Sequence, residues 1–223
     1  MMEVICPLCG SVDSSVFLRE HDQIYYRCHS CQLTFLSPAM LPSIDEERAR
    51  YDTHNNSLDD HGYRQFQLRL VKCMLPLLEA GAHGLDFGCG PVPIAANIFA
   101  ENNHPTKYFD PIYFPDSSLL KEHYNFISAI EVAEHFHKPA EMFIRLDQML
   151  LPGAHLGIMT YLLDDDRKFA NWWYRRDLTH VCFYKRETLW WIAHWRAWEV
   201  RLNKANVTVF RKPGDPPNQR KVG

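Results

Sequence analysis

The chain has no apolar run near the roughly 20 residues that a bilayer-spanning helix needs, which excludes a conventional membrane span. Its opening residues, Met1-Met2-Glu3, carry no basic stretch followed by an apolar one, so no secretory leader is expected. Positive charge is not in excess. Lys and Arg number 24 against 27 Asp and Glu, a formal charge of −3, so no broad attraction to nucleic acid is expected. Internal repeats and low-complexity tracts are missing. So are G-x-G-x-x-G and G-K-[ST], the dinucleotide and P-loop fingerprints. What remains is ordinary for a soluble globular protein: 46% hydrophobic and 23% charged residues in 223, enough for one sizeable core and a small appendage.

Cysteine is where the composition departs from the ordinary. Seven is an odd number, and four of them form Cys6-Pro-Leu-Cys9 and, after 18 residues, Cys28-His-Ser-Cys31. Two C-x-x-C pairs at this separation have the spacing of a tetrahedral zinc site with four thiolate ligands. Each pair sits on a tight turn, so both of its sulfurs reach one ion. Tyr25–Arg27 and Leu33–Phe35 read as strands flanking the second pair, as in a zinc ribbon. His21 and His29 are substitute ligands by type, and both read as surface residues. Too few apolar residues lie here to hold a fold unaided, so the ion is expected to be structural. Thiols kept for metal imply a reducing compartment, and the cytoplasm is the expected location.

Residues 41–61 are polar and turn-rich. From Gly62 to about Leu78, Tyr63, Phe66, Leu70, Met74 and Leu77 recur at intervals of three and four, a helix with one buried face that Pro76 should end. The chain then turns on one stretch, His83 to Pro91. It reads as a buried strand entering a glycine turn, with a helix-like segment from Pro93 to Glu101. Strand, glycine turn and helix let a backbone approach a nucleotide-like ligand closely. Thr106–Phe109 reads as a second strand ending at Asp110, which lies 20 residues beyond Gly90. An acid there is placed to accept hydrogen bonds from ribose hydroxyls. Asn125–Ile130 is a further buried strand, 140–150 an amphipathic helix, Leu151–Gly153 a turn and 155–160 a strand. A Trp-rich helix at 187–196 and two strands, 198–202 and 207–210, follow. Residues 212–223, with three prolines, are expected to be disordered.

Asp86-Phe-Gly88-Cys-Gly90 resembles motif I of the class I S-adenosylmethionine (SAM) dependent methyltransferases, with Val92 where the last glycine of that motif usually stands. Glu131-Val-Ala-Glu134-His135-Phe-His137-Lys-Pro139 resembles the segment after their fourth strand, and Leu151-Pro-Gly153 with its strand is similar too. The implied fold is α/β, a Rossmann-like methyltransferase sheet preceded by a small zinc ribbon. The short interval between Asp110 and Phe126 implies that its third strand is missing or vestigial. The implied domains are a ribbon at 1–40, a linker or lid at 41–61, a methyltransferase domain at 62–211 and a tail at 212–223. SAM is the implied cofactor, held by Asp86, Gly88, Cys89, Gly90, Asp110, Ile130 and Glu131. Tyr51, His54 and Tyr63 are candidates for a lid over it, and a solvated linker is the alternative.

His135 is the first candidate base, because imidazole titrates near neutral pH, and His180 the second; a structural hydrogen bond is the alternative for each. Glu131 joins them as a candidate catalytic residue. Together, Glu131, Glu134, His135 and His180 are similar to the metal-binding set of small-RNA 3′-end 2′-O-methyltransferases, and two carboxylates with two imidazoles suit a divalent ion. The acceptor expected is a small molecule or sugar nucleotide, methylated on oxygen or carbon, since [DN]-P-P-[YF] is missing. Trp172-Trp173-Tyr174 and Arg175-Arg176 can stack on bases and hold phosphates, which keeps an RNA acceptor open. The same residues suit a sugar nucleotide, and the aromatics also suit a plain core. Val92 and the short stretch after Asp110 point the other way, to a methyltransferase-like module without activity.

Overall fold

The computed structural model describes residues 4–51 and 60–214. Tyr51 has a described backbone only, and His54 lies outside the described residues. The expected strands around the cysteines form as β1 (Ser14–Glu20), β2 (Gln23–Cys28) and β3 (Thr34–Leu36), paired antiparallel in that order. The polar segment after them contains a helix, α1 (Ile44–Tyr51), whose acids Asp45, Glu46 and Glu47 lie in its first turn, where they favour the exposed N–H groups.

Helix α2 (His61–Met74) starts at Asp60, whose carboxylate accepts the Tyr63 N–H at 2.9 Å. Pro76 ends it as anticipated, in a single 3-10 turn at Leu75–Leu77. Its buried residues Leu70 and Met74 sit so close to Gly157 that a Cβ there would stand 2.2 Å from the Met74 sulfur. The helix can lie on the sheet only because that position has no side chain.

The main sheet follows from β4 (Gly84–Phe87), α3 (Ile94–Glu101), β5 (Thr106–Phe109), β6 (Tyr124–Ile130), α4 (Pro139–Met149) and β7 (Leu150–Met159). After a two-residue strand β8 (Cys182–Phe183) come α5 (Arg186–Arg196), β9 (Glu199–Lys204) and β10 (Val207–Arg211). The strand order is β5-β4-β6-β7-β10-β9. Strands β5, β4, β6 and β7 run parallel, and the β9–β10 hairpin closes the sheet antiparallel on β7. Strand β6, YNFISAI, is apolar almost throughout because helices cover both of its faces. Among the described residues no strand lies between β5 and β6. That interval holds one isolated bridge, Asp110 to Phe114, and a 3-10 turn at Leu119–Lys121, so β5 is the sheet's edge, in line with the missing third strand.

Two expectations are corrected. Leu151-Pro-Gly153 is not a turn: helix α4 passes directly into β7, which starts at Leu150, with Gly153 at φ +82°. A bulge in the β6–β7 register between Tyr124 and Phe126 absorbs the irregular backbone, and a single proline is tolerated there. Lys212, placed at the head of a disordered tail, is instead tied down. Its ammonium donates to the carbonyls of Asp147 and Leu150, at 2.7 and 3.0 Å, satisfying the open C-terminal end of α4.

The N-terminal strands are not set apart from the rest. Strand β3 pairs with β8, Thr34 opposite Phe183 and Phe35 opposite Cys182, so one four-stranded sheet crosses the boundary expected at residue 40. A single hydrophobic core runs from Cys6, Leu8, Tyr25 and Phe35 to Phe143, Phe169, Phe183 and Tyr184.

Candidate active site and the four-cysteine cluster

The carboxyl ends of the parallel strands carry the candidate residues. Strand β4 leads into Gly88, β5 into Asp110, β6 into Glu131 and β7 into Thr160. In open α/β sheets this rim is where ligands bind.

On the β4–β5 side, the glycine turn is held by its own backbone and by one carboxylate. Gly88 N–H donates to the Phe109 carbonyl at 2.7 Å, and Gly90 N–H to Asp110 Oδ2 at 3.0 Å. Asp110 Oδ1 accepts from the N–H groups of Ile112 and Tyr113, at 2.9 and 3.0 Å. Gly88 and Gly90 have φ of +73° and +67°, which side chains rarely adopt. They differ in what faces them. A Cβ on Gly88 would stand 2.6 Å from Val132, whereas a Cβ on Gly90 would meet nothing within 4 Å. Gly88 is small to let strand ends pack, and Gly90 borders open space. Asp86 is buried and turned inward: Oδ1 accepts the Ser128 hydroxyl at 2.9 Å and Oδ2 the Ala96 N–H at 3.3 Å, at the first turn of α3. Burial pushes its carboxyl up to about 6, against the pull of those two donors. Cys89 is buried; its thiol donates to the neighbouring Gly90 carbonyl at 3.3 Å and its N–H to the Phe109 carbonyl at 3.2 Å. Val92 packs against the apolar cluster between α2 and α3. Tyr63, on the first turn of α2, has its hydroxyl pushed up to about 12 by burial and then by the charge of Asp86, with Cys89 and Glu131 adding to it.

On the β6–β7 side lies a group of polar residues in an apolar wall. Ile130 ends β6, and Glu131 follows at φ +52°, a strained conformation for this residue, with its N–H donated to the Met159 carbonyl at 2.8 Å. Glu134 is fully buried. Its Oε2 accepts the Thr160 hydroxyl at 2.9 Å, and Thr160 shares a 3.1 Å hydrogen bond with the Tyr174 hydroxyl. Because Thr160 has given its one proton to Glu134, Tyr174 is the donor of that bond, and its hydroxyl also lies close enough to the Glu131 and Glu134 carboxylates to oppose the effect of burial on both. Glu131 Oε1 and Glu134 Oε1 are buried without a hydrogen-bond partner. Burial, followed by the charge of Glu134, pushes Glu131 up to about 9; burial pushes Glu134 to about 7.

The two histidines meet here, with ring centroids 4.7 Å apart. His135 Nδ1 lies 3.0 Å from the Thr179 carbonyl and His180 Nδ1 2.7 Å from the Tyr174 carbonyl. A carbonyl only accepts, so both rings carry a proton on Nδ1; the Nε2 of His135 stands 4.0 Å from Glu134 Oε1. One ligand atom each from Glu134, His135 and His180 lies within 4.8 Å of the other two. Glu131 does not join that group. Helix α1 stands over this side, held by Glu47 to His137 at 2.9 Å and Arg50 to Asp177 at 2.7 Å.

Two expectations for the 172–176 segment divide. Tyr174 is core, and Arg175 is buried against the N-terminal hairpin rather than presented to a ligand. Trp173 is 59% exposed. Sequence reasoning missed Thr160 and Tyr174 as members of the polar group. Thr160 had a signal, its place at the end of a parallel strand. Tyr174 had none, because its loop is placed by contacts far away in the chain.

In the N-terminal sheet, the sulfurs of Cys6 and Cys31 lie 3.6 Å apart and those of Cys9 and Cys28 3.4 Å. All four lie within 4.8 Å of one another. A tetrahedron of Zn–S bonds of about 2.3 Å has sulfurs about 3.8 Å apart, so the cluster has the size of a zinc site. Among the described residues no cysteine is in a disulfide.

Solved structures show the same fold. A 1,6-didemethyltoxoflavin-N1-methyltransferase of Burkholderia thailandensis, with bound 1,6-didemethyltoxoflavin and S-adenosylhomocysteine, aligns at TM-score 0.55 and 12% identity over 88% of this chain and 98% of that one. A SAM-dependent methyltransferase of Archaeoglobus fulgidus aligns at TM-score 0.51 and 14% identity, over 67% and 94%. An O-methyltransferase family protein of B. thailandensis aligns at 0.51 and 12%, over 76% and 64%. No curated protein matches in sequence. The fold is thus that of the SAM-dependent methyltransferases. Residues 59–202 match the family described as "Methyltransferase domain", and the chain belongs to it.

Proposed function

We propose that the protein transfers a methyl group from SAM to a small-molecule or sugar-nucleotide acceptor, on oxygen or carbon. The observation that carries this is the rim of the sheet, where an open glycine cradle beside an anchored carboxylate lies one strand from a buried acid and imidazole group. Gly90 leaves room for a ligand, and Asp110 retains lone pairs for ribose hydroxyls while its other contacts hold the turn. Cys89, Ile130, Glu131 and Tyr63 wall the same cleft; Tyr51 remains a candidate. SAM, when bound, supplies an already activated methyl group. The chain's own task is then alignment of the acceptor and removal of its proton. His135 and His180 are the candidates to take that proton, each through Nε2, their Nδ1–H groups being committed to carbonyls.

Two metals complete the proposal. Zinc at Cys6, Cys9, Cys28 and Cys31 holds the ribbon. A divalent ion at Glu134, His135 and His180, with Glu131 at its edge, is favoured by the buried Glu134 Oε1, which makes no hydrogen bond and stands 4.0 Å from His135 Nε2, and by the carbonyl-oriented imidazoles, an arrangement common behind metal ligands. The ion would orient acceptor oxygens as a Lewis acid. Manganese titration of the zinc-loaded protein, with His180→Ala as control, tests it: heat that survives the substitution would remove the second ion from the reading. No described helix is long and apolar enough to cross a membrane, and the thiol cluster suits the reducing cytoplasm.

An RNA acceptor is the weaker reading, because Arg175 is buried. The deciding experiment is calorimetric titration of SAM into wild type and Asp110→Ala. Micromolar binding lost in the variant supports the proposal; a wild type that binds no SAM sinks it.

A further inference from the structure

The residues that orient the two histidines lie on a loop with little regular structure of its own, two 3-10 turns at Asp166–Asn171 and Trp173–Arg176. Tyr174 on this loop does two things at once. Its hydroxyl joins Thr160, and its carbonyl accepts His180 Nδ1–H. Tyr174 is itself packed among the rings of Tyr161, Trp172 and Phe183, and its neighbour in the chain is anchored as well. The Arg175 guanidinium is buried and donates inward to the carbonyls of Phe169 and Ala170, at 3.1 and 2.6 Å. Across the gap it reaches the tip of the β1–β2 hairpin, where it pairs with Glu20 and approaches Gln23 Oε1 at 3.4 Å. The rings of Tyr25 and Phe169 flank it, with centroids 5.5 and 5.8 Å away. The loop's other end is held by the same hairpin. Arg27 of β2 grips both oxygens of Asp166, at 2.9 and 3.3 Å, one residue before Cys28.

A buried guanidinium needs a counter-charge. Without Glu20, Arg175 would have only neutral acceptors, and the favourable response is for it to move toward water. Tyr174 is covalently next to it and would move with it. Among the described residues, the cofactor half of the cleft, at Gly88, Gly90 and Asp110, makes no hydrogen bond to this clamp.

We infer that Arg175, clamped by Glu20 and Gln23 of the N-terminal hairpin, is a positioning residue that sets the Tyr174 carbonyl and through it the tautomer and orientation of His180. The cysteine-bearing hairpin is thereby a support for the acceptor half of the cleft. This rests on reading His180 as part of that half.

The test uses full-length, zinc-loaded protein with ¹⁵N-labelled histidine, observed at pH 8 without added divalent metal, the His180 signals being assigned by His180→Gln. Wild type should show His180 fixed with its proton on Nδ1. Glu20→Ala, a change at a side chain 36% exposed, should lose that signature and move toward the other tautomer. Arg175→Lys, which keeps the charge without the fork, should fall between. Bound zinc and SAM affinity should stay unchanged. An unaltered His180 signature in Glu20→Ala overturns the inference, whatever the stability of Arg175→Lys. A loss of SAM affinity in parallel overturns it too, since the effect would then be general loosening. Wild type that binds no SAM would sink the proposed function, yet the His180 signature would still judge the clamp.

Discussion

Asp110 Oδ2 accepts the Gly90 N–H at 3.0 Å, so the carboxylate at the end of one strand fixes the glycine turn at the end of the next. Cofactor contact and turn geometry therefore depend on one side chain. Asp110→Ala removes three backbone donors' partner and the ribose acceptor together. A hydrogen bond to a charged group contributes about 1.5–3 kcal/mol, so SAM affinity should fall roughly ten- to 150-fold. Calorimetry reads this directly, and an affinity within twofold of wild type would refute it.

The two glycines of the turn should respond differently to the same added methyl. Gly90→Ala puts a Cβ into open space, so folding should lose only about 1–2 kcal/mol for the left-handed backbone, while the cleft loses room and SAM binding weakens. In Gly88→Ala the Cβ would stand 2.6 Å from Val132, and the main effect should be on stability. Thermal melts and SAM titration of both variants separate the cases. Equal loss of binding and of stability in the two would show that the open space beside Gly90 is not where the cofactor lies.

These local features were legible in the sequence because they are local. The spacing of Asp86, Gly88, Gly90 and Asp110 follows from strand, turn and helix, and the cysteine pairs follow from their own knuckles. The absent third strand was legible from the short interval between Asp110 and Phe126, set against the layout that the family resemblance implies. What the sequence hid depends on pairing between distant segments. The two-residue strand β8 has no periodicity of its own and exists because β3 lies beside it. Arg175 sits in an aromatic and basic run that reads as a ligand-binding surface, and only the partner Glu20, 155 residues away, turns it inward. Leu151-Pro-Gly153 has turn composition, yet the neighbouring strands impose an extended backbone on it.

Asp86 should make stability depend on pH. Burial raises its folded-state carboxyl from the usual 3.8 to about 6, so between those values the folded protein holds a proton that the unfolded chain has released. The sign is then fixed: this contribution is fully present below about pH 4 and is lost as pH rises to about 6. Some two pH units at 1.36 kcal/mol each make the loss about 3 kcal/mol. Urea melts from pH 4 to 7 should show wild type falling relative to Asp86→Asn over this range. Parallel profiles would mean that Asp86 is not the group responsible.

The Glu134–Thr160–Tyr174 chain can be cut in the middle. Thr160→Val keeps the shape of a fully buried side chain while removing the hydroxyl that donates to Glu134 and accepts from Tyr174. Two buried polar groups then lose a partner at once, and each such loss costs about 1–3 kcal/mol. Tyr174→Phe removes a hydroxyl that also lies against Glu131 and Glu134 but leaves the 2.9 Å Thr160–Glu134 bond in place, so its cost should be the smaller. The order matters more than the size. If Thr160 served only to fill space, Thr160→Val would be nearly silent in a thermal melt and Tyr174→Phe would be the worse of the two. If the chain is the support of Glu134, the melting temperature should fall further for Thr160→Val, and the double variant should cost less than the sum, because both substitutions break the same bond.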